Sequence, residues 1–145
     1  DLKKLGQLLD FYKLGKRVIF SHDNQQNCIR IKQIINDIRT MLWIGGSEES
    51  ILATFDNALN SGFEGLDQVQ LHLNDKKNVD SNWRYELDIS DIEYCYKKTR
   101  DYGIELEVLP YEFTKKEIDT LIDIGIRWFA VDYPEKFVDI FRANG

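Results

Sequence analysis

The feature that most constrains this chain is a repeated unit: an amphipathic helix, then a glycine, then a short apolar strand. Strands are expected near Arg17–Ser21, Thr40–Ile44, Leu66–Leu73, Glu105–Leu109 and Arg127–Asp132. Their starts, near residues 17, 40, 66, 104 and 127, lie about 23, 26, 38 and 23 residues apart. Strands joined through a helix run parallel, with right-handed crossovers. Two architectures fit that rhythm. One is a doubly wound five-stranded sheet of flavodoxin type; the other is part of a (β/α)₈ barrel. Strand patterning favours the barrel. Val69, Leu71 and Leu73 alternate with Gln68, Gln70 and His72, and Leu106 and Val108 alternate with Glu105 and Glu107. A barrel strand can carry polar groups on its inner face, whereas a central doubly wound strand is apolar on both.

The helices are marked by their ends. The first is expected over Leu2–Leu14, closed by Gly15 in the left-handed conformation. The second carries Cys28, Ile31, Ile34, Ile35 and Ile38 on one face, and the third, capped by Ser47, carries Ile51, Leu52, Phe55 and Leu59. Ser90-Asp91-Ile92-Glu93 and Thr114-Lys115-Lys116-Glu117 both read as capping boxes. Pro134 suits the first turn of the last helix.

Composition narrows the function. The net charge is −6 and basic residues are dispersed, without the stripe a nucleic-acid binder uses. No apolar run approaches the roughly 20 residues of a membrane span. Cys28 and Cys95, the only cysteines, fall on apolar helix positions without a neighbouring His or a CxxC, and read as buried free thiols. The chain opens at Asp1 rather than Met. It is therefore read as a processed protein, a cut piece or a natural subunit, and its compartment is left open.

The last third carries a family likeness. Tyr102-Gly103-Ile104-Glu105-Leu106-Glu107-Val108 leads through Leu121-Ile122-Asp123-Ile124-Gly125-Ile126 to Trp128-Phe129-Ala130-Val131-Asp132-Tyr133-Pro134. This resembles the C-terminal part of the glycerophosphodiester phosphodiesterases, where a last strand ends in Thr-Asp-Tyr-Pro or Thr-Asp-Arg-Pro. Arg17–Asp23, Thr40–Trp43 and Gly62–Leu66 fit earlier segments of that barrel. The resemblance covers residues 1–145 and implies a partial TIM barrel of PI-PLC-like phosphodiesterase type, five βα units, strands four to eight. It also implies a parent enzyme that hydrolyses a glycerophosphodiester to glycerol phosphate and an alcohol with a divalent cation, Ca²⁺ or Mg²⁺. The family's His-Arg-Gly, Glu-x-Asp, His-Asp and Glu-x-Lys motifs belong to strands one to three, which the resemblance places before this chain; Ser21-His22-Asp23 matches instead the Ser-Phe-Asp end of a later strand, with His22 in the Phe place. The chain alone is thus expected to be inactive, with no catalytic residue or metal ligand of its own. The missing strands would come from an N-terminal part or another chain. The family's Trp-Thr falls near Leu109-Pro110-Tyr111, a departure that points as well to a non-catalytic phosphate or sugar-phosphate binding module, or to a module that completes a barrel.

Ligands of such barrels meet the C-terminal strand ends and the loops behind them. Five residues are expected there: His22 to hydrogen-bond phosphate or glycerol, Trp43 and Tyr111 as aromatic walls, His72 facing the pocket, and Arg84 to clamp a phosphate. Arg84 stands between Trp83 and Tyr85 in the long Asn74–Asp88 connection, which reads as a binding loop. Asp132 is expected to cap the last helix. Glu105 and Glu107 share a strand face away from the catalytic end.

Overall fold

The computed structural model describes residues 1–78 and 82–142. Six helices alternate with five strands: α1 (Leu2–Phe11), β1 (Ile19–His22), α2 (Gln25–Ile34), β2 (Arg39–Ile44), α3 (Glu48–Asn60), β3 (Gln68–Leu73), α4 (Ile89–Asp101), β4 (Glu105–Pro110), α5 (Lys115–Ile124), β5 (Trp128–Phe129) and α6 (Pro134–Arg142). The strands form one parallel sheet in the order β1-β2-β3-β4-β5.

That order decides between the two architectures. A flavodoxin-type sheet changes direction part-way and carries helices on both faces. Here each strand lies beside its predecessor. Leu42, Ile44, Val69, Leu71, Leu73, Leu106 and Val108 turn to one face and are buried with Ile51, Phe55, Ile92, Cys95, Ile118 and Leu121 of the helices. Each such Leu, Ile or Phe contributes about 1.5–3 kcal/mol of burial. α1 adds a smaller cluster of Leu9 against Ile31 and Ile38. Among the described residues the opposite face carries no helix. It presents Ile19, Ser21, Arg39, Met41, Trp43, Gln68, Gln70, His72, Glu105, Glu107, Leu109 and Trp128, the set that pairs across the parallel registers. Among the described residues β1 and β5 each have one strand neighbour, and no helix is long and apolar enough to cross a membrane.

Several ends differ from the sequence-based expectation. α1 stops at Phe11, and Lys13, not Gly15, takes the left-handed position at φ 53°. The Lys13 and Leu14 N–H groups donate to the carbonyls of Asp10 and Leu9, at 3.0 and 2.8 Å, which satisfies the helix end two residues early. α2 ends at Ile34 because Ile35 turns extended before the Asn36-Asp37 turn, although Ile38 is still buried. Ser90-Asp91-Ile92-Glu93 is not a capping box. Asp88 is the N-cap of α4, and its carbonyl accepts from the Asp91 and Ile92 N–H groups at 3.1 Å. The Thr114 box does form: the Glu117 carboxylate accepts from the Thr114 N–H (2.7 Å) and hydroxyl. β5 is two residues long, so Asp132 stands beyond the strand.

Candidate functional site

Strand pleat and register bring three of the five expected residues together. Trp43 and His72 are the last but one residues of β2 and β3, and Tyr111 follows β4. All three meet on the open face. The Trp43 and His72 rings stack with centroids 5.3 Å apart and planes 9° apart, and Tyr111 stands edge-on to His72 at 5.8 Å. The Tyr111 hydroxyl lies 3.0 Å from His72 Nδ1. Trp43 and Tyr111 remain 36% and 42% exposed, so the cluster is a surface and not a plug.

Beneath it runs a polar line. His72 Nε2 lies 3.1 Å from Gln70 Oε1, and the Gln70 amide donates to Glu107 Oε1. Gln68 donates to the other Glu107 oxygen at 2.8 Å. Gln68 and Gln70 are almost wholly buried. Burial holds the His72 imidazole below the usual histidine range, so the ring is neutral at neutral pH. Gln70 and Glu107 were not among the expected site residues, although the alternation of Gln68, Gln70 and His72 with Val69, Leu71 and Leu73 already put all three on one face.

Gly45 holds this arrangement from behind. A Cβ there would lie 2.8 Å from His72 Nδ1. The Asn74 amide fixes the adjoining turn by donating to the Gly46 carbonyl at 2.9 Å. Gly45→Ala is expected to push the imidazole off Trp43 and to break its contact with Tyr111. The measurement is the shift of the His72 ring and Trp43 indole signals in NMR spectra; unchanged signals would contradict the close approach.

His22 and Arg84 stand elsewhere. β1 pairs His22 with Leu42, so its side chain lies on the helix side of the sheet. There Nδ1 accepts from the Asn24 N–H (2.9 Å), and Asn27 lies 3.1 Å from Nε2. The ring fastens the turn into α2 and does not face Trp43 or His72. Arg84 is committed to a salt bridge with Asp75 at 2.7 Å and a looser one with Glu117 at 3.4 Å. Burial alone would weaken its charge, but both carboxylates outweigh that and hold the guanidinium charged. Its neighbours are core residues: Trp83 donates to the Leu87 carbonyl and Tyr85 to the Glu112 carbonyl, both at 2.8 Å, and Trp83 and Tyr85 are 7% and 0% exposed. The segment is stitched down through Lys76–Arg84 and Asn74–Glu86 backbone bonds. The expected binding loop is therefore, over its described part, a packed excursion; residues 79–81 lie outside the described residues. Cys28 and Cys95 are buried, and burial pushes the Cys28 thiol up to about 11 and the Cys95 thiol further. Neither is poised as a nucleophile.

The open face does not suit a hard divalent cation, which takes about six oxygen ligands. Both Glu107 oxygens already accept amide hydrogens, and Glu105 accepts from the Trp128 indole at 2.9 Å. Among the described residues, one acidic group lies close together: Glu48, Asp88 and Asp91, with carboxylate oxygens within 4.8 Å. It belongs to the first turns of α3 and α4, in the helix layer. Burial and the charges of Asp88 and Asp91 raise the Glu48 carboxyl, and Lys76 stands 3.5 Å from Asp88.

No family model and no curated protein matches the chain. Solved structures do. A protein from Galdieria sulphuraria, proposed to be a glycerophosphodiester phosphodiesterase, superposes with a TM-score of 0.69 at 12% identity, over 98% of this chain and 50% of the other. The fold is a partial TIM barrel. 2,3-Dimethylmalate lyase, a member of the PEP mutase/isocitrate lyase superfamily, superposes with a TM-score of 0.54 at 12% identity, over 82% of this chain and 46% of the other. The chain thus spans about half the length of the barrels it matches. The open face corresponds to a barrel interior, and Trp43, His72 and Tyr111 stand at the C-terminal mouth, where barrels of diverse chemistry bind their ligands.

Proposed function

We propose that this chain is the C-terminal portion of a phosphoric diester hydrolase of the glycerophosphodiester phosphodiesterase kind, and that it supplies a wall of the substrate pocket. The observation that carries this reading is the Trp43–His72–Tyr111 cluster at the mouth of strands whose fold resembles such a protein. Trp43 offers a flat apolar surface, and the His72–Tyr111 pair offers hydrogen-bonding groups beside it, the mixture that small-molecule sites use. Catalytic acid and base groups, and the ligands for a Ca²⁺ or Mg²⁺ ion, would come from the three preceding βα units. Those units would also pair with the free edges of β1 and β5.

A second reading is a binding module without chemistry. It draws support from Pro110-Tyr111 in the place of the family's Trp-Thr, and from the partners of His72, which are a glutamine and a tyrosine and not a carboxylate. One experiment separates them. The chain is joined or mixed with the preceding barrel units and given a glycerophosphodiester, with and without Ca²⁺ or Mg²⁺. The enzyme reading expects metal-dependent release of glycerol phosphate from the completed barrel and none from this chain alone. Binding of glycerol phosphate without turnover would favour the module. Neither binding nor turnover would end both readings.

A further inference from the structure

The hydrogen bonds beneath His72 have a direction. A carboxylate only accepts, so Glu107 obliges both Gln68 and Gln70 to turn their NH₂ groups toward it. Gln70 is then left with its carbonyl oxygen facing His72 Nε2. A carbonyl cannot donate, so Nε2 must carry the ring proton and Nδ1 of the neutral ring must be the lone-pair nitrogen. That lone pair faces the open side, where the half-exposed Tyr111 hydroxyl now donates to it. The two Gln side chains are 2% and 7% exposed, so neither can turn to water instead.

We propose that Glu107 and Gln70 are positioning residues that hold His72 Nδ1 as a hydrogen-bond acceptor at the barrel mouth, and that this subsite therefore takes an uncharged hydroxyl donor, the polyol end of a ligand, not its phosphate. The ligand half of this proposal rests on the function proposed above; the tautomer half does not. Charge points the same way. Among the described residues the cations do not reach the cluster: Arg39 shares the open face but sits at the start of β2, where it donates to Gln68 at 3.5 Å, and Arg84 is engaged by Asp75 and Glu117. A neutral acceptor nitrogen beside an indole face suits a sugar or glycerol hydroxyl with its C–H surface on the ring. It repels a phosphate oxygen, which is itself an acceptor. Tyr111 occupies the acceptor in the absence of ligand and can rotate to join a ligand hydroxyl when one arrives.

The test is ¹⁵N NMR of the intact chain, whose only histidines are His22 and His72, with His22→Gln used to assign the signals. The wild-type His72 is expected to show a protonated Nε2 and an unprotonated Nδ1 at neutral pH. Glu107→Gln replaces the acceptor-only group by one that can also donate, and Gln70→Met removes the carbonyl; each is expected to yield a mixture of tautomers. Glu107→Asp, which keeps the acceptor-only chemistry, is expected to retain the wild-type tautomer. Titration with glycerol and with glycerol 3-phosphate is expected to move the His72 and Trp43 signals, and inorganic phosphate alone is expected not to. The two mixed-tautomer variants should lose about threefold to tenfold in affinity for glycerol, the worth of one neutral hydrogen bond. A wild-type ring protonated at Nδ1, or variants that keep its tautomer, would overturn the positioning role. Phosphate acting as strongly as glycerol would overturn the hydroxyl subsite. The expected tautomer with no response to any probe would overturn the functional reading and the ligand half together.

Discussion

Arg84→Ala is expected to lower the unfolding free energy by about 2 kcal/mol and to leave glycerol phosphate binding unchanged. Arg84 ties the excursion after β3 to α5 through Asp75 and Glu117, with side-chain exposures of 22%, 34% and 11%. Breaking a fully buried pair costs about 3–5 kcal/mol, and the residual solvent around Arg84 and Asp75 brings that down to about 2 kcal/mol. Urea unfolding gives the stability; a titration with glycerol phosphate gives the binding. Weakened binding at unchanged stability would return Arg84 to the phosphate-clamp role that its sequence context suggests. The same network makes an acid prediction. Burial alone would raise the Glu117 carboxyl, but the hydroxyl and N–H of Thr114 and the charge of Arg84 outweigh it and hold the carboxyl below the usual range. Its folded value is thus depressed. The stability it contributes is present above the unfolded glutamate value of about 4.3 and is lost as pH falls through the folded value. Glu117→Gln should therefore flatten the acid limb of a stability-against-pH curve. An acid limb equal to that of the wild type would show that Glu117 is not its source.

Why Arg84 stands apart from the open face, and His72 lies on it, is decided by the range of the interactions that place each. Elements and their order follow from local signals, the helical period, the glycines and the strand alternation, and these read directly from the chain. Trp43, His72 and Tyr111 are legible because each stands at or next to the end of an apolar run, which is where barrel ligands bind. His22 also stands at a strand end, but β1 is Ile19-Phe20-Ser21-His22, with large apolar residues at adjacent positions. Its pleat parity is set only by the pairing of Phe20 with Thr40, which puts His22 beside Leu42 on the helix side. A slip of one residue would reverse that. Arg84 meets Glu117 across 33 positions, and Tyr85 meets the Glu112 carbonyl across 27. No local pattern announces such partners. Glu107 is the intermediate case. Its place in the middle of β4 argued against a site role, yet β4 runs beside β3 in a register that sets Glu107 against Gln70. Through Gln70 the carboxylate reaches the mouth without standing there.

The sharpest expected contrast is between the two faces of the same sheet. Phe55→Ala should cost about 3–5 kcal/mol, the usual loss for a large aromatic core side chain. Phe55 is fully buried, packed edge-on against Phe63 at 5.5 Å and Tyr94 at 6.0 Å, and its removal leaves a cavity that the β2–α3–α4 layer cannot close without moving strands. Trp43→Ala, although it deletes a larger ring, should cost only about 1 kcal/mol. Trp43 has its stacking partner on one side and solvent on the other, so the loss is close to that of one aromatic pair. Its effect should fall on ligand binding instead, where glycerol loses the apolar wall beside His72. Denaturant unfolding of both variants, with glycerol titrations of Trp43→Ala and wild type, measures the division. Were Trp43→Ala to destabilise the chain as much as Phe55→Ala, the open face would be a structural layer in its own right, and Trp43 would be packing rather than recognition. The expected opposite follows from the sheet's own asymmetry: among the described residues the helices cover one side of the strands and bury it, while Trp43 and Tyr111 on the other side keep 36% and 42% of their surface exposed.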